Sequence, residues 1–258
     1  GENGAGKTNL LEALAYHAPG RGLRRASLPA LAGNDGPGGF AVSAALDCGD
    51  GREAVMLGTG TQPDRPRRRI VQVNGAETSA MSLAEWLAVG WLTPAMDGLF
   101  TDSAGARRRY MDRLALALDP AHARHASRYE VALRERNRLL TDAVEPDPQW
   151  FGSLEAQLAE AGAALAAGRA TLVERLTEAL ADLPDAPFAR PALALITSGP
   201  REAEALAADL ARHRQRDRTA QRTLTGPHRD DLEVTMAGKA VPAASCSTGE
   251  QKALLIAI

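Results

Sequence analysis

The chain opens on Gly1-Glu2-Asn3-Gly4-Ala5-Gly6-Lys7-Thr8. The spacing Gly-x-x-x-x-Gly-Lys-Thr constrains what can follow. Its glycines let successive backbone N–H groups curl around an anion, a shape that side chains would obstruct. A helix starting at the lysine points its positive end at the same anion. In such a loop Lys7 reaches the β- and γ-phosphates of a nucleoside triphosphate, and the Thr8 hydroxyl holds Mg²⁺. The expected ATP contacts are therefore Glu2, Asn3, Gly4, Ala5, Gly6, Lys7, Thr8 and Asn9. A match of this kind arises by chance in about 1% of chains this long. An apolar helix follows at once, with Leu10, Leu11, Leu14 and Ala15 at helical spacing, and Pro19-Gly20 ends it. A loop of this type normally follows a β-strand. The chain also lacks an initiator Met and stops in an apolar run at Ile258, so it reads as a fragment of a longer protein.

Composition narrows the field. The 258 residues, 45% of them hydrophobic, suffice for one large domain or two ordinary ones. A net charge of -2 predicts no global pull toward nucleic acid, so any DNA contact must come from local arginine clusters. Lys7, Lys239 and Lys252 are the only lysines, which makes each one informative. No stretch approaches the roughly 18 apolar residues of a membrane span, and no signal-peptide pattern is present. Cys48 and Cys246 are too few for a disulfide framework and fit a reducing, cytoplasmic setting.

Along the chain, Gly33 to Gly39 reads as a loop, and Phe40–Leu46 and Glu53–Leu57 as short strands. Arg69–Val73 alternates with Ile70 out of phase, and Asn74-Gly75 marks a hairpin turn. Ser82–Val89 reads as a helix, Gly90–Leu92 as a buried strand, and Ala106–Leu118 as a helix. Three long helices fit the Ala/Leu/Arg/Glu-rich region, at about 121–142, 150–182 and 201–219, with breaks near Glu145–Pro148 and Leu183–Pro191. A strand over Asp231–Met236 and a final helix from about Gly249 close the chain. The expected division is an N-terminal lobe (1–118), a helical arm (119–220) and a C-terminal lobe (221–258).

Near the end lies Cys246-Ser247-Thr248-Gly249-Glu250-Gln251-Lys252. Alone, Ser247-x-x-Glu250 is a helix capping box. Beside a phosphate loop it resembles the Leu-Ser-Gly-Gly-Gln signature of ABC-type ATPases. Ser247 and Gly249 match, whereas Cys246, Thr248 and Glu250 stand in for Leu, Gly and Gln. That resemblance implies that Ser247, Thr248, Gly249 and Glu250 contact the γ-phosphate held by a second copy, with ATP joining a head-to-tail dimer.

Taken in order, GENGAGKTNLLEAL (1–14), PGRGLRRASL (19–28), ARRRYMDRL (106–114), YEVALRERNRLL (129–140), TGPHRDDLEV (225–234) and CSTGEQKALLIAI (246–258) are similar to the RecF family. This is a family of bacterial recombination and repair ATPases related to the heads of SMC and Rad50 proteins. The resemblance implies an α/β fold: a phosphate-loop ABC-type ATPase head, with a mixed sheet and an antiparallel β subdomain, carrying an inserted α-helical arm. It implies ATP and Mg²⁺ as cofactors, dimerisation on ATP and binding to single-stranded or gapped DNA. It also implies RecO- and RecR-type partners that help load RecA, a link to the SOS response, and slow hydrolysis. Where the family has Pro-Glu-Asp-Leu, this chain has Pro94-Ala95-Met96-Asp97, which puts an acidic metal or water contact there in doubt.

Arg21, Arg24 and Arg25 read either as a solvated basic turn or as phosphate contacts to DNA or across the dimer. Arg67 and Arg68, within the run Arg65 to Arg69, are DNA candidates set against a solvated strand edge. Arg107, Arg108 and Arg109 cannot share one helix face, so at least one is structural. No aromatics interleave these clusters, so base stacking is not expected. His228 reads as a hydrogen-bonded turn histidine or as a neighbour of the ATP site. His122 and His125 lack the further ligands of a metal site, and Cys246 reads as a buried thiol. Hydrolysis needs a strand ending in Asp-Glu, which in the family follows the signature helix and is absent here. The chain alone is therefore expected to bind nucleotide poorly and to hydrolyse almost none. Rival readings are a transporter ATPase, an SMC-class protein and a phosphate-loop kinase. The long arm with GPHRDDL, the lack of long coiled-coil arms and the second motif, respectively, weigh against them.

Overall fold

The computed structural model of the protein describes residues 6–32, 38–47, 49, 51, 53–142, 147–182 and 190–258. The chain divides into two compact units, Gly1–Trp91 and Leu92–Ile258, each with its own sheet.

The first unit begins with helix α1 (Lys7–Ala15), followed by a four-stranded antiparallel meander. Its strands are β1 (Phe40–Leu46), β2 (Val55–Gln62), β3 (Arg65–Val73) and β4 (Ala76–Thr78). β1 alternates as its sequence predicts, with Phe40, Val42, Ala44 and Leu46 on the more covered face. Asn74 and Gly75 both adopt positive φ (49° and 81°), the twist that a two-residue hairpin turn requires. Leu57, Val71 and Leu83 are buried together, giving this unit a thin core. The odd phase of Ile70 has a physical cause. Arg69 shares the parity of the buried Val71 and takes the inner position, which leaves Ile70 on the opposite face.

Two expected elements do not form between residues 82 and 92. Ser82–Val89 is not a helix; a short 3-10 segment, Ala80–Glu85, stands there with only Leu83 buried. One anchor gives no apolar stripe to hold longer turns. Gly90–Leu92 forms no strand, and Leu92, expected to be buried, is exposed. The first half of the expected break at Glu145–Pro148 falls in 143–146, outside the described residues. The stretches 33–37 and 183–189 lie outside them too, as does Cys48.

The second unit contains α2 (Ala104–Leu118), α3 (His122–Thr141), α4 (Pro148–Ala181), α5 (Ala203–Arg212), α6 (Arg214–Thr219) and α7 (Thr248–Ala257). Its antiparallel sheet runs β5 (Pro191–Ile196), β6 (Asp231–Met236), β7 (Val241–Pro242). Among the described residues every strand pair is antiparallel. The 34-residue α4 is the strut of this unit. It starts on Asp147, whose carboxylate accepts from the N–H groups of Gln149 and Trp150, with Pro148 in the first turn. Its early turns bury Leu158 and Leu165 against Tyr129, Leu139 and Leu206. Further along, Leu172 joins a second core with Met111 of α2, Leu232 and Val234 of β6 and Leu254 of α7. Each fully buried leucine of this kind contributes about 2 kcal/mol. α7 is thus packed into the same core as the later turns of α4.

The expected helix over 201–219 is two helices. The backbone leaves the helical region at His213, whose Nδ1 lies 3.0 Å from the Asp209 carbonyl oxygen. β5 went unrecognised in the sequence, although Leu193 and Leu195 alternate with Ala192 and Ala194. Alanine is a weak strand signal, and the pairing partner β6 lies beyond two helices.

Candidate nucleotide and nucleic-acid sites

Of the expected ATP contacts, Glu2, Asn3, Gly4 and Ala5 lie outside the described residues. Gly6 caps α1 in the left-handed region, at φ 79° and ψ 8°. A Cβ added there would meet nothing within 4 Å, so the backbone conformation, not crowding, calls for glycine. Gly6 offers no side-chain cap, and its carbonyl oxygen accepts from the N–H groups of Asn9 and Leu10. Lys7, Thr8 and Asn9 are exposed on the first turn, where a phosphate would meet the helix dipole. An anion there would be met by Lys7, and a metal bound to it by the Thr8 hydroxyl.

The rest of α1 inverts the sequence expectation. Leu10, Leu11 and Leu14 are 66%, 55% and 51% exposed, while Glu12, Ala15 and Tyr16 are buried. Glu12 was not singled out in the sequence. Its carboxylate accepts from the backbone N–H groups of Leu23 and Arg24, both at 3.1 Å. Gly22 permits this, since a Cβ there would lie 2.5 Å from Glu12 Oε1 and 2.6 Å from the Tyr16 ring. Arg69 completes the clamp. It donates to the carbonyl oxygens of Tyr16, Ala18 and Gly20, tying down the turn that follows α1, and stacks 5.1 Å from the Tyr16 ring centre.

This clamp carries the first arginine cluster. Arg24 Nη2 donates to Asn9 Oδ1 at 3.2 Å, which brings one DNA candidate to the first turn of α1. Arg21 and Arg25 are exposed on the same turn. In the second cluster Arg67 is exposed and Arg68 pairs with Glu77 at 2.7 Å. Arg69 is structural.

At the other motif, Ser247 caps α7 and the capping box is complete. Ser247 Oγ accepts from the Glu250 N–H at 3.4 Å, and Glu250 Oε2 accepts from the Ser247 N–H at 2.9 Å. Glu250 also accepts from Lys239 at 2.7 Å. The lysine and the Ser247 donors hold its carboxyl down at about 2. Thr248 and Gly249 are exposed on the first turn. Behind them Lys252 pairs with Asp97 at 3.2 Å, so the acidic residue of the Pro94–Asp97 segment is tied to the signature helix. Cys246 is half-buried, and its thiol lies 3.6 Å from the Pro242 carbonyl oxygen.

Arg107, Arg108, His122 and His228 are absorbed by the fold. Arg107 forms a two-pronged pair with Asp231 (2.8 and 2.7 Å), and Arg108 donates to the Asp230 carbonyl oxygen at 2.7 Å. Arg109 is exposed. His228 is a hydrogen-bonded turn histidine. The Tyr129 hydroxyl meets Nδ1 at 2.7 Å, and Nε2 meets the Thr223 carbonyl oxygen at 3.0 Å, so the proton belongs on Nε2. Burial pushes its pKa down to about 4. His122 is buried against Asp112 at 3.0 Å, and among the described residues no cluster could hold a metal ion. Sequence reasoning also missed two buried arginines. Arg136 pairs with Glu155 and Asp217, and Arg169 pairs with Asp112 and Asp230. No local pattern marks them, since their partners are far apart in sequence.

Comparison with known proteins places this geometry. The chain is 51% identical to the DNA replication and repair protein RecF of Mesorhizobium japonicum, over all of this chain and 70% of that protein. It is 46% identical to the protein of the same name from Brucella suis biovar 1, covering all of this chain and 69% of that one. The chain belongs to the RecF family. No protein-family model matches it. A solved structure of the recombination mediator protein RecF with ATP, in the RecFOR pathway, superposes with a TM-score of 0.81 at 22% identity, over 99% of this chain and 70% of that one. The RecF fold is therefore shown, an α/β ATPase head with a helical arm. Among the described residues no helix is long and apolar enough to cross a membrane.

Proposed function

We propose that this RecF-family chain is the ATP-responsive part of a DNA replication and repair protein. Its phosphate loop binds ATP through Glu2 to Asn9, with Mg²⁺ on Thr8. Ser247, Thr248, Gly249 and Glu250 complete the site of a second copy, so that ATP drives a head-to-tail homodimer. The dimer engages single-stranded or gapped DNA, with Arg21, Arg24, Arg25, Arg67 and Arg68 as candidate phosphate contacts, and works with RecO- and RecR-type partners. The domain reading that accompanies this is a head lobe, an arm and a second head lobe, at 1–118, 119–220 and 221–258.

One observation carries the reading. The RecF relatives match the whole chain at 43–51% identity, a span that takes in both helix starts assigned here to the nucleotide. Arg24 supports a link between nucleotide and DNA, since it sits against Asn9 on the first turn of α1. Gel-shift titration of gapped DNA by the complete gene product, with and without ATP, tests the proposal. Binding should tighten with ATP, and Lys7→Ala should abolish the difference. Equal binding in both conditions would sink it. Binding that responds to ATP only on duplex DNA would favour another ABC-type ATPase of the SMC class.

A further inference from the structure

The carboxylate of Glu250 stands where the ABC signature has a neutral glutamine. A negative charge at that place opposes the approach of a triphosphate. The fold answers it with three donors. Oε2 accepts from Ser247 N and Ser247 Oγ, both at 2.9 Å, and Oε1 accepts from Lys239 Nζ at 2.7 Å. The Ser247 hydroxyl proton is therefore engaged inside the cap and does not point outward. Lys239 arrives from the turn between β6 and β7, where Ala240 takes a left-handed φ of 51°, uncommon for a residue other than glycine. Lys239 is 63% exposed and Glu250 34%, so the pair adds little to the stability of the fold.

We infer that Lys239 is a positioning residue for the signature contact: it cancels the Glu250 charge and keeps the carboxylate in place when the Ser247 hydroxyl turns to an incoming phosphate. This rests on the ATP-driven dimer proposed above. Lys239 need not touch the nucleotide; it acts through Glu250. Without it, a phosphate would meet a bare carboxylate, and Ser247 would be the only remaining side-chain donor to that group.

The test is a double-mutant cycle in the complete gene product, with ATP-driven self-association followed by sedimentation. Lys239→Met should weaken association about tenfold at low salt. The loss should shrink as salt rises, because an exposed charge effect is screened. Lys239→Arg should restore association. Whatever Glu250→Gln does alone, adding Lys239→Met to it should change nothing further. Melting without nucleotide should be the same in Lys239→Met and Lys239→Arg as in wild type, which separates the effect from misfolding. An unaltered dimer in Lys239→Met overturns the inference. An equal loss in the Glu250→Gln background also overturns it, since Lys239 would then act on the phosphate directly. If wild type does not associate on ATP, or Ser247→Ala does not weaken association, the dimer reading itself fails and this inference falls with it.

Discussion

The two helices that open on the nucleotide motifs start in opposite ways. α1 begins on a left-handed glycine with no side-chain cap, its leucines outward and a glutamate inward. α7 begins on a complete capping box and buries Leu254 and Leu255 in the core of its unit. A helix end without a cap leaves its N–H groups to water or a ligand, whereas a boxed end has already satisfied them. The first turn of α1 thus keeps N–H groups open to an anion, as the proposed ATP site requires. The first turn of α7 is closed by its own side chains, and the proposed signature contact would have to open one of those bonds.

The largest expected effect lies on the rigid side. Leu254→Ala should lower the free energy of unfolding by about 2–5 kcal/mol, read from denaturant midpoints, because the side chain is fully buried. If the loss is under about 1 kcal/mol, α7 is not held by its core. Acid sharpens the same side. His228 is neutral in the fold, with a pKa near 4 against the ordinary 6.5, because of burial. The unfolded chain therefore binds the proton first, and stability falls as pH drops from about 6.5 to 4, by up to about 3 kcal/mol. Unfolding across that window should show the slope in wild type, and His228→Gln should flatten it.

Gly6→Ala forces a Cβ into the left-handed region without creating a clash, so strain alone should cost about 1–2 kcal/mol. Faster amide exchange in the first turn of α1 would report it; unchanged protection would mean the cap is not left-handed in solution. Ser247→Ala removes a side-chain cap and should cost about 1 kcal/mol in thermal unfolding. Leu11→Ala should change stability by less than about 0.5 kcal/mol, since 55% of Leu11 is exposed. A loss as large as that of Leu254→Ala would erase the contrast between the two helices.

This contrast was half readable beforehand. The strands over Phe40–Leu46 and Asp231–Met236, the turn at Asn74-Gly75 and the start of α7 obey local rules, namely period two, turn residues and a capping box. They were legible because nothing distant overrides them. The outward leucines of α1 were not, because spacing defines a face without saying what covers it. Glu12 and Arg69 were missed for a related reason. Each is held by bonding backbone groups of a turn, and a backbone carbonyl or N–H leaves no mark in the sequence. The starts of the two candidate helices were legible, and the surroundings of the arginines were not. Arg24 sits at the first turn of α1, Arg68 is neutralised by Glu77, and Arg69 is structural.

The near-absence of lysine has a practical corollary. Lys7 stands in the phosphate loop, Lys239 on the signature carboxylate and Lys252 against Asp97. The side-chain amines of the chain therefore all mark one motif or the other. A reagent that acylates amines becomes a footprint of nucleotide occupancy: ATP should shield Lys7, and assembly of two copies should change the labelling of Lys239.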